Sequence, residues 1–110
     1  TGKSDRLYVA DTDNRRIAVF NSLGEYEGEI GADILRVPVD AALDSSGRIF
    51  VSDAGLKSIV AFSKNGRYLG DSGVSSITFG NPAGIEFAPD GNLYIADRAR
   101  NQVMILKIAG

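Results

Sequence analysis

Three aspartates close the same phrase of sequence. Leu7-Tyr8-Val9-Ala10-Asp11, Ile49-Phe50-Val51-Ser52-Asp53 and Leu93-Tyr94-Ile95-Ala96-Asp97 recur, with the aspartates 42 and then 44 residues apart. A carboxylate can ligate or catalyse, but it can also accept hydrogen bonds from the N–H groups of the loop that follows it. A residue found at one phase of every unit serves the unit, so the structural role is the expectation here. Chemistry is better sought where the copies differ, on the connections. Arg15, Lys57, Arg98 and Arg100 follow the three aspartates, and Arg16 opens the next apolar run. Five cations on one side of an acidic chain form either an anion- or partner-binding rim or a solvated loop edge. Asp40 and Glu86 occupy positions of matching parity in two further apolar runs. Facing a shared channel, they would offer oxygens to a hard cation such as calcium, which needs several more ligands than these two supply.

Nucleophilic catalysis has little to work with. Serines are plentiful, but the 110 residues include no histidine and no cysteine, so the usual activating base and the usual zinc ligands are missing. Without cysteine, neither a disulfide framework nor the redox compartment can be read. Apolar residues make up 44% and charged residues 24%, an ordinary globular balance. The net charge of −2 argues against a nucleic-acid surface, which leans on excess Lys and Arg. The longest apolar runs, such as Ile59 to Phe62, fall far short of the ~18 residues of a membrane helix, so no membrane span is expected. Thr1-Gly2-Lys3-Ser4 shows no signal-peptide pattern, which leaves a processed chain, a piece of a longer one, or a cytosolic protein.

The elements that must hold these residues are strands. Apolar and aromatic residues alternate over runs of about six, separated by Gly-, Asn- and Asp-rich turns, and no 3.6-residue period survives that punctuation. Four runs, a to d, make one unit of ~43 residues, a period that signals a repeat array. The order along the chain is b-c-d, a-b-c-d, a-b-c: ten strands and no helix longer than one turn. The expected layout is one domain over 1–110, with incomplete units at 6–30 and 82–108 around a complete one at 38–72. Glu25, Glu27 and Glu29 alternate along the first d strand, as suits an outer edge facing water. Gly24, Gly47, Gly66 and Gly91 are turn residues. Asn65-Gly66 is the strongest short hairpin signal in the chain, because both residues tolerate positive φ. Strands b and c are apolar on both faces, which means sheets covered on both sides. This is all-β architecture: four-stranded antiparallel blades of a β-propeller, in a partial ring.

Two stretches carry a more specific likeness. Leu7-Tyr8-Val9-Ala10-Asp11-Thr12-Asp13-Asn14-Arg15-Arg16-Ile17-Ala18-Val19-Phe20 resembles an NHL repeat. So does Pro82-Ala83-Gly84-Ile85 through Asp90-Gly91-Asn92-Leu93-Tyr94-Ile95-Ala96-Asp97 to Asn101-Gln102-Val103. The middle copy departs at Ala54-Gly55-Leu56-Lys57, where the family usually has a Thr-x-Asn-x connection. The resemblance covers nearly the whole chain and implies blades of a propeller that usually has six. It implies a scaffold that binds a protein or peptide, and it leans toward an extracytoplasmic or secreted location. Two alternatives stay open: a fragment of a lactonase- or lyase-like propeller enzyme whose catalytic residues lie in other blades, and an RNA-binding surface. The zinc-binding histidines of the amidating lyases of this class have no counterpart here.

The same pattern names a core and a liability. Leu7, Val9, Ile17, Val19, Ile49, Val51, Ile59, Phe62, Leu93, Ile95, Val103 and Ile105 are the expected core. A free run of blades leaves an apolar face of several hundred Å² at each end, and at ~25 cal/mol per Å² covering both is worth on the order of 10 kcal/mol before association costs. Self-association is therefore expected, with two copies closing a ring about a two-fold axis. Val9, Val19, Val103 and Ile105, or Tyr8, Phe20, Tyr94 and Met104, are the residues expected to carry it.

Overall fold

Runs of β-branched and aromatic residues between Gly-containing turns extend into ten strands in the computed structural model, which describes residues 6–71, 82–99 and 101–107. The first blade is β1 (Leu7–Asp11), β2 (Arg16–Phe20) and β3 (Tyr26–Ile30). The second is β4 (Pro38–Leu43), β5 (Ile49–Asp53), β6 (Ser58–Phe62) and β7 (Tyr68–Asp71). The third is β8 (Pro82–Phe87), β9 (Leu93–Asp97) and β10 (Gln102–Leu106). Every neighbouring pair within a blade is antiparallel, and the three blades are separate sheets in the order read from the sequence. Among the described residues the helical element is a single 3-10 turn, Thr12–Asn14.

Four hairpins share one turn. Gly24, Gly47, Gly66 and Gly91 hold φ between 83° and 88°, and each donates its N–H to the carbonyl three residues earlier. Only glycine takes that backbone angle without a steric penalty. The hairpin expected at Asn65-Gly66 forms between β6 and β7, with Asn65 not at positive φ. It is a three-residue loop closed by Ser63 N–H to the Arg67 carbonyl at 2.8 Å, with glycine alone in the left-handed region. In three of the four hairpins the first residue's side chain caps the turn. Asn21 Oδ1, Asp44 Oδ1 and Ser63 Oγ each accept N–H groups two and four residues on.

The blades stack face to face around two cores. Ile17 and Val19 of the first blade meet Ile49, Val51, Val60 and Phe62 of the second, with Ile30 and Leu35 closing the edge. Phe50 and Ile59, on the second blade's other face, meet Ile85, Leu93 and Ile95 of the third. Eight of the twelve expected core residues are buried. The other four are corrections: Leu7, Val9, Val103 and Ile105 are exposed by 54%, 47%, 65% and 52%. They sit on the outward faces of the two end blades, where no other sheet among the described residues covers them. The face assignment also needs correcting. Val9 pairs across with Ala18, and Val19 with Tyr8. Cross-strand partners share a face, so Val9 and Val19 point opposite ways. Tyr8 and Met104, like Val19, face the second blade. The open faces carry Leu7, Val9 and Phe20 at one end and Tyr94, Val103 and Ile105 at the other.

Two polar links tie the blades at their inner strands. Thr12 Oγ1 donates to the Pro38 carbonyl at 2.9 Å, and Ile85 N–H donates to Asp40 Oδ2 at 3.0 Å. The result is an open arc of β-propeller blades.

Candidate functional site

The connections from b to c strands, with the segment entering β4, form one rim. Asp53 organises it. This fully buried carboxylate accepts N–H groups from Arg36 at 2.7 Å, Val37 at 3.0 Å and Leu56 at 2.9 Å. Two of the donors belong to the crossing segment and one to the b–c loop, so a single side chain fixes both. Gly55 packs beside them so closely that a Cβ there would lie 2.8 Å from Arg36 Cβ. The structural role expected for the repeated aspartate is what Asp53 performs.

Asp11 does a more exposed version of the same task. Its Oδ2 accepts Asn14 Nδ2 at 2.9 Å and Arg16 Nε at 3.0 Å. The Asn14 amide and the Arg16 guanidinium hold its carboxyl below the usual carboxylate range. Arg16 also pairs with Glu29 at 3.0 Å and lies over the Tyr26 ring, 5.2 Å from its centre. Glu29 and Asp11 together raise the Arg16 pKa further above its ordinary value. Asp97 is buried at the equivalent point of β9.

The five cations therefore separate. Arg16 is balanced within its own sheet. Arg15, Lys57 and Arg98 are exposed on the b–c loops, and none of them is in an ion pair among the described residues. Arg100 lies outside the described residues. Arg36 joins the same strip, exposed and unpaired among the described residues, although its backbone is clamped by Asp53. Thr12 against Pro38, and Gly55 against Arg36, make the first loop, the crossing segment and the second loop contiguous. Arg36 was missed because it precedes a strand instead of following a repeated aspartate. The rule that d–a connections emerge on this rim would have found it.

The loops share a backbone feature invisible in composition. Arg15, Lys57 and Asn101, each the residue just before its c strand, hold φ of 55°, 54° and 53°. This left-handed position costs a non-glycine residue about 1 kcal/mol, so the loops are held in shape by their surroundings.

Asp40 and Glu86 stand apart. Asp40 Oδ1 accepts the Ala41 N–H at 2.9 Å while Oδ2 takes the Ile85 N–H. Asp40 pairs across with Ser52 and Glu86 with Tyr94. Ser52 and Tyr94 are at different phases of the b strand, so the two carboxylates occupy different levels of the inner strands. No group of three or more acidic side chains gathers as a metal site among the described residues. Two surface clefts of about 400 Å³ each contain none of the sequence-predicted site residues. One borders Tyr8, Glu27 and Lys64; the other lies between the Asp44–Arg48 and Pro89–Gly91 turns. No helix among the described residues is long and apolar enough to cross a membrane.

No family model matches the sequence, and no curated protein matches it. Among solved structures, the chain is similar to selenomethionine-substituted virginiamycin B lyase from Staphylococcus aureus, with a TM-score of 0.60 and 14% identity. The match covers 100% of this chain and 40% of the lyase chain, so the chain spans less than half of that structure's length. At this identity the likeness carries the fold alone, and it places the three stacked sheets in the β-propeller class.

Proposed function

We propose that this chain is an NHL-type propeller segment acting as a scaffold for an acidic protein or peptide, bound along the b–c rim. The carrying observation is the strip of Arg15, Arg36 and Lys57, continued on the third loop by Arg98, none of them in an ion pair among the described residues, with the Arg36 and Lys57 segments held in place by the Asp53 cradle. Arg6, Arg16 and Arg48 are instead neutralised within their own sheets. Cations presented on a fixed backbone attract an acidic segment without first ordering a loop. An immobilised poly-glutamate peptide is a suitable probe. Arg36→Glu with Lys57→Glu should weaken its binding at least several-fold at low salt and flatten the salt dependence. Lys64→Glu with Arg67→Glu, on the c–d hairpin loop, should have little effect. Equal losses in both pairs, or none in either, would reject the rim.

A second reading rests on the similar propeller being a lyase. In that case this chain is a blade set of an enzyme, with the reacting groups outside these residues. A calcium titration followed by thermal melting tests it: a calcium-dependent rise in melting temperature favours the enzyme-like reading, and no change favours the scaffold.

A further inference from the structure

The two blade–blade contacts inside the chain have the same polarity. In the first, the second and fourth residues of a b strand, Tyr8 and Ala10, pack into one cluster with the first and third residues of the next, Ile49 and Val51. In the second, Phe50 is the equivalent of Tyr8, and Leu93 and Ile95 are the equivalents of Ile49 and Val51. Each contact thus joins the face with the second and fourth residues of one b strand to the face with the first and third residues of the next. The chain has one face of each kind left over. On the third blade, Tyr94 and Ala96 stand beside their cross-strand partners Ile105 and Val103, and both partners are exposed. On the first blade, Leu7 and Val9 are exposed next to Phe20, the cross-strand partner of Leu7.

We propose that the open face of the third blade docks on the open face of the first blade of a second copy of this chain, head to tail. The pairing repeats at Tyr94 what Tyr8 and Phe50 already do within one chain. A tail-to-tail contact would set two faces of the same strand phase together, whereas both internal interfaces join opposite phases. The contact is heterologous, so each copy uses one end as donor and the other as acceptor. The proposal does not depend on what the rim binds.

Light scattering on the full chain at high micromolar concentration should find a species larger than one chain. Val9→Asp blocks the first-blade face and Ile105→Asp the third-blade face. Both sites are exposed, so circular dichroism should show the native β spectrum for each; milder Val9→Ser and Ile105→Ser variants cover any loss of folding. Each single variant should be monomeric by itself. Their equimolar mixture should recover a heterodimer, because each supplies the face the other lacks. A monodisperse wild-type monomer would overturn the proposal. So would undiminished self-association of either variant alone, which means a symmetric contact, or a mixture that stays monomeric.

Discussion

Strands β1 and β5 carry closely similar five-residue runs, Leu-Tyr-Val-Ala-Asp and Ile-Phe-Val-Ser-Asp, and both end in aspartate. In β5 all five side chains are buried; in β1 none is fully buried. The sequence phrase specifies a strand that can be covered on both faces, and the neighbouring blades decide whether it is. β5 has a blade on each side, whereas β1 has one. Local pattern therefore determines the blade, and position in the array determines burial.

The largest expected difference between the two strands is at their central valine. Val51 is fully buried, so Val51→Asp should unfold the domain, since an unpaired buried charge costs several kcal/mol. Val9→Asp at the matching position should shift stability by only ~0.5 kcal/mol, as surface changes usually do, when measured dilute enough to exclude association. Equal melting temperatures for the two variants would break the comparison.

The aspartates should differ next. Asp53→Ala strands three backbone N–H groups that the carboxylate now accepts, and a loss of about 3 kcal/mol or more is expected in urea unfolding. Asp11→Ala, whose partners are exposed side chains, should be milder and should also free Arg16 from one of its two carboxylates. Similar losses for both variants would mean that the two carboxylates are equivalent despite their burial.

Asp44 sharpens the contrast between turns. Burial alone would raise its pKa, but the Arg48 N–H and guanidinium, with Ser46, bring it below the ordinary value. A depressed folded-state pKa adds stability that is present above the unfolded value of ~3.9 and is lost as pH falls through the folded value. Wild-type melting temperature should therefore drop below pH ~4 more steeply than that of Asp44→Asn. At neutral pH, Asp44→Ala should cost about 1 kcal/mol, whereas the fourth turn begins at Ala88, which has no side-chain acceptor, and among the described residues its Asp90 Oδ1 takes only the Asn92 N–H. The smallest effect is expected at Lys57→Gly, which relieves a left-handed φ while loosening the unfolded chain. The two contributions nearly cancel, leaving a gain of a few tenths of a kcal/mol by thermal melting.

The strands and turns were legible because their causes are local. Alternation, the repeated aspartate and a glycine at each hairpin place all ten strands to within about a residue or two of where they lie. What escaped depends on pairing or on neighbours. Val9 and Val19 look alike in sequence; only the register closing Asp11 against Arg16 shows that they face opposite ways. Leu35 is buried in a connection that has no strand period. It fills the space beside Gly31, where a Cβ would sit 2.7 Å from its Cδ1 and 2.8 Å from Phe62 Cζ. At the rim, the loop cations could be read but their partners could not. Arg16 and Arg15 are adjacent in sequence, yet only Arg16 meets Asp11 and Glu29, because strand alternation turns one onto the sheet and leaves the other on the loop.

The inner strand β4 touches both neighbouring blades, taking the Thr12 hydroxyl at Pro38 and offering Asp40 to Ile85. This gives the molecule a gradient in time as well as in space. Opening that starts at the outer strands breaks few apolar contacts, while releasing β4 disturbs all three sheets together. Amide protons of β3 and β10 should therefore exchange with solvent first, through frequent local fraying, and those of β5 and β6 last, through near-global opening. A protease meeting this fold would cut at β3 or β10 long before it reached β5 or β6.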